Sequence, residues 1–365
     1  MSLLVSPGVR GASRAVFSRL GQMARLATTP LLPADYLGLV APLTLGADLR
    51  GRIVERRPET RDAATLDIRP GRAWRRHMPG QYVRIGVDVD GVRCWRAYSL
   101  TSLVDAPDGC LAITVNKIPG GVVSAYLVDE VTPGTLVMLD QAAGEFVLPP
   151  ASARSALFLT AGSGITPVMG MLRNRPAQLR DAVVLHSAPT AADVVFGPEL
   201  RSLSAAGGPR LIERHTATAG LLDLAELDTL VPDWRERETW ACGPTGLLDA
   251  AQEHWESAGL ASRLHTERFR PALAATGEGG TVTFRRTGIA VDAAGTRPLL
   301  DSGEDAGVLM PSGCRMGICF GCAVPLREGT VRDLRNGALT SAAPGDGVIV
   351  QTCISAPAGP CEIDL

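Results

Sequence analysis

Three cysteines crowd into nine positions near the C-terminal end of the chain, in the stretch PSGCRMGICFGCAVPL. They are Cys314, Cys319 and Cys322, and Cys353 follows after thirty intervening residues. The spacing C-x4-C-x2-C…C is that of plant-type [2Fe–2S] ligation. No other feature restricts the fold so tightly, because several thiolates must converge on one small anionic cluster. Gly313, Gly317 and Gly321 let the loop turn sharply and bring backbone amides close to the sulfides. Structural zinc is the main rival, but zinc sites usually pair two C-x2-C knuckles. Here one C-x2-C carries a third cysteine five residues upstream, which suits a loop wrapped around a cluster. Disulfides would require an oxidising compartment, and the N-terminal residues do not read as a cleavable secretory signal. Cys94, Cys110 and Cys361 lack such spacing and read as small, half-buried apolar side chains.

A chain of 365 residues is long enough for two or three domains. Hydrophobic residues make up 45% and charged residues 20%, which supplies ample core material. A net charge of −2 argues against a dedicated nucleic-acid binder. No apolar run approaches the roughly 20 residues that span a bilayer. The first stretch is locally different: Met1 to Ala34 holds no acidic residue, whereas Arg10, Arg14, Arg19 and Arg25 are basic. Within it Val16, Leu20, Met23 and Ala27 recur at helical spacing, so residues 13–27 are expected to form a basic amphipathic helix. Such a helix can lie on an anionic membrane surface, act in organellar targeting, or pack on its own domain. Residues 1–47 are therefore set apart as an N-terminal extension.

Residues 48–150 read as short strands broken by turns: RGRIVE, ATLDIR, QYVRIGV, CWRAYSL, LAITVNK, TLVMLD and EFVL. That rhythm indicates an antiparallel barrel or sandwich. Over 151–272 the apolar strands SALFLT, AVVLHS, RLIERH, ETWAC and LHTERF alternate mostly with helix-like stretches, the pattern of a parallel, helix-covered α/β sheet. ATGEGG is a short linker. Residues 279–365 resume strands around the cysteine loop, with LLDSGEDAG as a helix, which suits a β-grasp ferredoxin domain.

Four further motifs carry chemistry. TAGSGITP, with Gly162, Gly164, Thr166 and Pro167, follows an apolar strand and opens a helix, where free N–H groups and the helix dipole favour a pyrophosphate. ACGPTG places Cys242, Gly243 and Pro244 at the end of the fourth strand of that sheet, and ligands of open α/β sheets bind beyond the carboxyl ends of strands. RAYS, with Arg96, Tyr98 and Ser99, supplies a cation for a phosphate, an aromatic for a planar ring and a hydroxyl for its edge. It is followed by TVNKIPGGVVSAYL, in which GGVVS reads into an apolar helix and offers more N–H donors. A tight turn or an ordinary exposed strand is the alternative for each motif taken alone.

RAYS, GGVVS, GSGITP and CGP, in this order and ahead of the cysteine loop, resemble the ferredoxin–NADP⁺ reductase superfamily carrying a C-terminal plant-type ferredoxin domain. The resemblance runs from about Asp48 to the C-terminus. TTPLLPADYLGLVAPL and REGTVRDLRNG are similar to bacterial reductases of membrane-bound di-iron fatty-acid desaturases and hydroxylases. The implied fold is an antiparallel β-barrel FAD domain, a Rossmann-like NAD(P) domain and a β-grasp [2Fe–2S] domain.

The resemblance also implies roles. Arg96 would bind the flavin phosphates, Tyr98 would stack on the isoalloxazine and Ser99 would sit near its N5. Asn116, Lys117, Gly121, Val122, Val123 and Ser124 would contact the rest of FAD. Gly162, Gly164, Thr166 and Pro167 would form the nicotinamide-nucleotide turn, with Cys242, Gly243 and Pro244 by the reacting ring. Glu267 and Phe269 of HTERF resemble the Glu-x-Phe element that ends the reductase module. Ser99, Cys242 and Glu267 are the expected catalytic set, and Cys314, Cys319, Cys322 and Cys353 the metal ligands.

The expected activity is NAD(P)H-dependent electron transfer through FAD and [2Fe–2S] to a partner oxygenase, foremost a membrane di-iron desaturase or hydroxylase. A reductase of a soluble ring-hydroxylating dioxygenase uses the same modules, and a non-turnover redox sensor is the alternative from another class. The expected location is cytoplasmic, with peripheral contact at the inner face of the cell membrane through residues 13–27. The donor is open between NADPH and NADH. His186 to Phe196 contains no Arg or Lys to meet a 2′-phosphate, Arg214 on the next strand is able to, and the resemblance points to NADPH.

Overall fold

The computed structural model describes residues 41–44, 48–89, 91–149, 155–269, 275, 277–317 and 319–365. The expected helix over 13–27 lies outside them. The described residues form three sheets in chain order.

The first sheet contains β1 (Arg50–Thr60), β2 (Ala63–Pro70), β3 (Tyr82–Val89), β4 (Val92–Ser99), β5 (Leu111–Asn116) and β6 (Leu136–Leu139), in the order β4-β3-β6-β1-β2-β5. All its pairings are antiparallel. Its two edges meet where Leu100 bridges Ile113 and the Thr101 N–H donates to the Ala112 carbonyl at 2.8 Å, which closes the barrel. Alternation sets its inside: Val83, Ile85 and Val87 of β3 enter a core with Ile53, Leu66, Ile68 and Ile113, while Tyr82 and Arg84 face away.

EFVL departs from expectation. Residues 144–148 form no strand, because Phe146 and Leu148 bury themselves against the second domain, beside Phe158 and Ile165. Hydrophobic content alone does not reveal which core a segment serves.

The second sheet is parallel and ordered β11-β10-β7-β8-β9, from β7 (Ala156–Ala161), β8 (Val183–Ala188), β9 (Arg210–His215), β10 (Glu238–Cys242) and β11 (Leu264–Glu267). Every residue of β8 is buried, as expected for a strand covered on both faces. Phe158 joins one core with Met169 and Trp240, and Leu157 and Leu159 join the other with Trp234 and Trp255. Strand order reverses between β7 and β10, so both chemical turns of this domain leave the sheet at its switch point.

The third sheet orders β13 (Ile289–Ala293), β12 (Gly280–Phe284), β17 (Ser355–Ile363), β14 (Ala323–Asp333) and β15 (Leu339–Ala342), with β16 (Ile349–Gln351) paired to β14. The helix Leu299–Asp305 crosses it. Gly303 permits that crossing, because a Cβ there would fall 2.5 Å from Met310 Sδ and 2.9 Å from the Phe284 ring.

The barrel and the parallel sheet are tied at one seam. Gly170, in the helix Ile165–Asn174, lies against Leu100, where a Cβ would come within 2.4 Å of the carbonyl oxygen. One turn on, Arg173 donates to the Thr101 carbonyl at 2.7 Å and Asn174 to the Ser102 carbonyl at 2.9 Å. The segment just after RAYS is therefore fixed to the helix that follows TAGSG. No described helix is long and apolar enough to cross a membrane.

Candidate electron-transfer site

The two turns of the parallel sheet touch. β7 and β10 pair with Thr160 opposite Cys242, and β10 and β11 with Cys242 opposite Glu267. Gly164 packs on that corner so closely that a Cβ would lie 2.0 Å from the Cys242 carbonyl oxygen. Gly162 has φ +54 and open space above it, so the turn presents bare backbone outward. Thr166 donates to the Ser163 carbonyl at 2.9 Å, and both Thr166 and Pro167 are buried at the helix start. Pro244 precedes the helix Thr245–Ser257 as its N-cap residue, with Gly243 packed against Ala161.

Cys242 and Glu267 are unusual as a pair. Burial, then the Glu267 charge, pushes the Cys242 thiol well above its ordinary range. Burial pushes the Glu267 carboxyl up to about 8, and among the described residues its buried Oε2 has no hydrogen-bond partner. A protonated carboxyl with a free oxygen at a strand end is poised to hold or donate a proton.

The barrel motif is divided by its pleat. Register places Arg96 opposite Ile85 and Tyr98 opposite Val83, on one face, and Ser99 opposite Tyr82 on the other. The Arg96 side chain donates to the Trp95 carbonyl at 2.7 Å and, among the described residues, pairs with no carboxylate. Burial, then the charge of Arg315, lowers its pKa, a tension that an anionic phosphate would relieve. Burial pushes the Tyr98 hydroxyl up. Among the described residues Ser99 Oγ is buried and unpartnered, as are Thr101 Oγ1 and Ser102 Oγ after it. Such a run of unsatisfied groups fits a polar cofactor edge laid along the seam.

The loop after β5 is partly self-satisfied. Ser124 accepts from the Ile118 N–H at 3.3 Å and donates to the Gly121 carbonyl at 3.1 Å, so its hydroxyl shapes the turn. Gly121 is the N-cap of the helix Val122–Ala125, with Val123 buried and Val122 exposed at 55%. Lys117 pairs with Asp129 at 3.1 Å. Asn116 ends β5 opposite Ala63. Of this group, Ser124 and Lys117 are engaged within the protein, and Val122 is exposed beside the turn.

The four cysteines of the loop stand in two pairs. The Cys314 and Gly321 N–H groups donate to Cys319 Sγ at 3.1 and 3.3 Å, and the Met316 N–H to Cys314 Sγ at 3.3 Å. Burial raises the Cys319 thiol, but those N–H donors and the charge of Arg84 outweigh it, and the net shift is downward. The Cys353 thiol hydrogen-bonds Cys322, which pulls Cys322 down to about 6 and pushes Cys353 up. Among the described residues no three His, Cys, Asp or Glu side chains gather as ligands of one ion. Two thiol pairs fed by backbone N–H groups fit a two-iron cluster with two thiolates on each iron better than a single tetrahedral zinc. Gly313 and Gly321 meet back to back, and a Cβ on Gly313 would lie 2.4 Å from Cys319 Sγ. Arg315 and Phe320 hold φ +58 and +56, left-handed backbone that is costly outside glycine. Cys110 and Cys361, by contrast, are simply buried.

Tyr82 and Arg84 link the two halves, and sequence reasoning did not single them out. Burial, then the charges of Cys314, Glu267 and Cys319, raises the Tyr82 hydroxyl against the lowering charge of Arg84, so groups of the strand-end corner and of the cluster loop both act on it. Their only sequence signal is alternation, Tyr82 and Arg84 standing between the apolar Val83, Ile85 and Val87 of QYVRIGV. Arg214, considered for a 2′-phosphate, is engaged. It donates to Glu226 at 2.7 Å and to the carbonyls of Ala219, Gly220 and Leu221 at 2.6, 3.1 and 3.1 Å.

Residues 52–148 match the family described as oxidoreductase FAD-binding domain, and residues 282–358 that described as 2Fe-2S iron-sulfur cluster binding domain. The NADPH oxidoreductase of Mycobacterium tuberculosis (strain ATCC 25618 / H37Rv) is 51% identical over 367 residues, covering 98% of this chain and 96% of that one. The glycine betaine monooxygenase reductase subunit of Pseudomonas aeruginosa (strain UCBPP-PA14) is 30% identical over 319 residues, 78% of this chain and 86% of that one. Among solved structures, phthalate dioxygenase reductase, described as modular for electron transfer from pyridine nucleotides to [2Fe–2S], aligns with TM-score 0.59. It does so at 23% identity over 87% of this chain and 98% of that one, a likeness of fold.

Proposed function

The chain belongs to the NAD(P)H-dependent oxidoreductases of the ferredoxin-reductase type, with FAD-binding and [2Fe–2S] domains, and from that premise we propose that it delivers electrons from NADPH to an oxygenase. The finer reading is a membrane-bound di-iron fatty-acid desaturase or hydroxylase as acceptor. It is supported by the resemblance of the flanking segments and by the basic residues over 13–27. The second reading is the reductase of a soluble ring-hydroxylating dioxygenase; relatives named as monooxygenase reductase subunits support an oxygenase acceptor in general.

One observation carries the electron-transfer reading: β3 joins the pieces, with Tyr82 paired to Ser99 of RAYS and acted on by the Glu267 carboxyl, and Arg84 reaching Gly313 of the cysteine loop. When bound, FAD supplies conversion of a two-electron donor to one-electron steps, and the cluster supplies the one-electron exit.

The protein's residues bind, orient and exclude. Arg96 meets flavin phosphate charge, Tyr98 offers a stacking face, and Ser99 offers its unpaired hydroxyl. The backbone turns at Gly121 to Val123 and at Gly162 to Thr166 receive pyrophosphates on their N–H groups. Cys242, Gly243 and Pro244 wall the nicotinamide side, and the Glu267 carboxyl keeps its proton near neutral pH. Cys314 with Cys319 and Cys322 with Cys353 hold the irons. We take the corresponding units as 48–150, 151–272 and 279–365.

NADPH is favoured over NADH by the name of the relative at 51% identity. Arg214 would serve the 2′-phosphate by exchanging the carboxylate of Glu226 for it. The acceptor is tested by retaining the tagged full-length protein on a support, passing detergent-solubilised membranes over it and identifying bound di-iron proteins. NADPH-driven turnover of a retained desaturase or hydroxylase supports the finer reading. Turnover only with a soluble oxygenase would replace it with the second.

A further inference from the structure

Arg84 belongs to the barrel, yet its guanidinium ends at the cysteine loop. A Cβ placed on Gly313 would lie 3.5 Å from Arg84 Nη2 and 2.4 Å from Cys319 Sγ, so cation and sulfur flank the same point. The guanidinium is held from two other sides. Nη1 pairs with Asp140 Oδ2 at 2.8 Å, and the Asp140 N–H donates to the Arg84 carbonyl at 3.0 Å. The Trp95 ring centroid lies 5.2 Å from its central carbon, and Trp95 is itself seated over Gly86. Among the described residues Nε is buried without a partner. Asp140 meets the charge from the Nη1 side, and the buried Nε donor still favours a further acceptor. The loop it faces is where the anionic cluster is proposed to sit.

We propose that Arg84 is a positioning residue for transfer between the domains. It seats the Cys314–Cys319 side of the cluster loop against the barrel and biases the cluster toward its reduced form. The reasoning is electrostatic. Reduction adds one electron, drawn from NAD(P)H through the flavin, to an already negative cluster, and breaks no bond. A fixed positive charge nearby stabilises the more negative product more than the reactant. Asp140 opposes that effect from the far side of the guanidinium. The two residues therefore set the equilibrium with opposite signs. The inference rests on the proposal that Cys314 and Cys319 ligate the cluster.

The test is a redox titration of the loaded full-length protein, following the paramagnetic signal of the reduced cluster and using the flavin couple in the same sample as reference. Arg84→Gln should lower the equilibrium constant for cluster reduction about tenfold, about 59 mV for a one-electron couple. Asp140→Asn should move it the other way, and Arg84→Lys should stay near the parent value. An unchanged cluster couple in loaded Arg84→Gln, or a downward shift in Asp140→Asn, overturns the proposal. If Arg84→Gln does not retain the cluster, Asp140→Asn decides alone: an upward shift supports it, and none or a downward one overturns it. Absence of any iron–sulfur signal in the unsubstituted protein would instead remove the ligand assignment beneath it.

Discussion

Gly164 rests against Cys242 so closely that a methyl group at its Cα would fall 2.0 Å from the Cys242 carbonyl oxygen. The clash is with backbone, which cannot rotate away. Gly164→Ala should therefore part the two turns proposed to form the nicotinamide crevice, at a cost of about 1–3 kcal/mol. Expected are a raised KM for NAD(P)H and a lowered melting temperature, with flavin content retained because the barrel is untouched. Unchanged KM in steady-state ferricyanide assays would show that the crevice is not the donor site.

Arg96→Ala should weaken flavin retention. Losing a charge-assisted phosphate contact is worth about 1.5–3 kcal/mol, or about one to two decades in affinity. Flavin released on dialysis, quantified by absorbance, checks this. Full retention would make Arg96 an ordinary strand arginine.

Glu267 gives a pH signature whose sign is fixed. Burial raises its pKa from 4.5 to about 8 in the folded chain, so between those values the folded state holds a proton that the unfolded state lacks. Stability should fall as pH rises through that window. Glu267→Gln cannot lose a proton and should gain on the parent as pH goes from 5 toward 8 in paired thermal melts, about one proton's worth of slope. Parallel pH profiles for the two proteins would mean that the carboxyl is solvated.

Much of this was legible in the sequence where chemistry is local in the chain. The cysteine spacing, the glycines within it, and SALFLT running into GSGITP each declare their structure within a dozen residues. What escaped depends on distant partners. Arg84 reads as an outward strand residue, and only folding brings it to Gly313. EFVL has the composition of a strand but serves the neighbouring core through Phe146 and Leu148. Arg214 looked free until a turn delivered Glu226 and three carbonyls to it. The separation of Ser99 from Arg96 and Tyr98 follows from the two-residue period of a strand, and was readable without a structure.

Cys319→Ser should separate the two halves of the electron path. The remaining thiols leave one iron short of a ligand, so iron content and cytochrome c reduction should fall to near background. NAD(P)H-to-ferricyanide activity should persist, because a small oxidant reaches the flavin directly. Loss of both activities would mean that the loop supports the barrel rather than carrying electrons from it.

The most direct measurement is an anaerobic titration of the purified protein with NADPH, with flavin absorbance and low-temperature paramagnetic resonance recorded on the same samples. Expected are bleaching of the flavin band and one reduced-cluster spin per chain at saturation, with about two irons bound per chain, the content of a [2Fe–2S] cluster. Flavin bleaching with no cluster spin, in protein whose cluster dithionite still reduces, would contradict transfer from flavin to cluster. One zinc per chain and no iron would contradict it at the root.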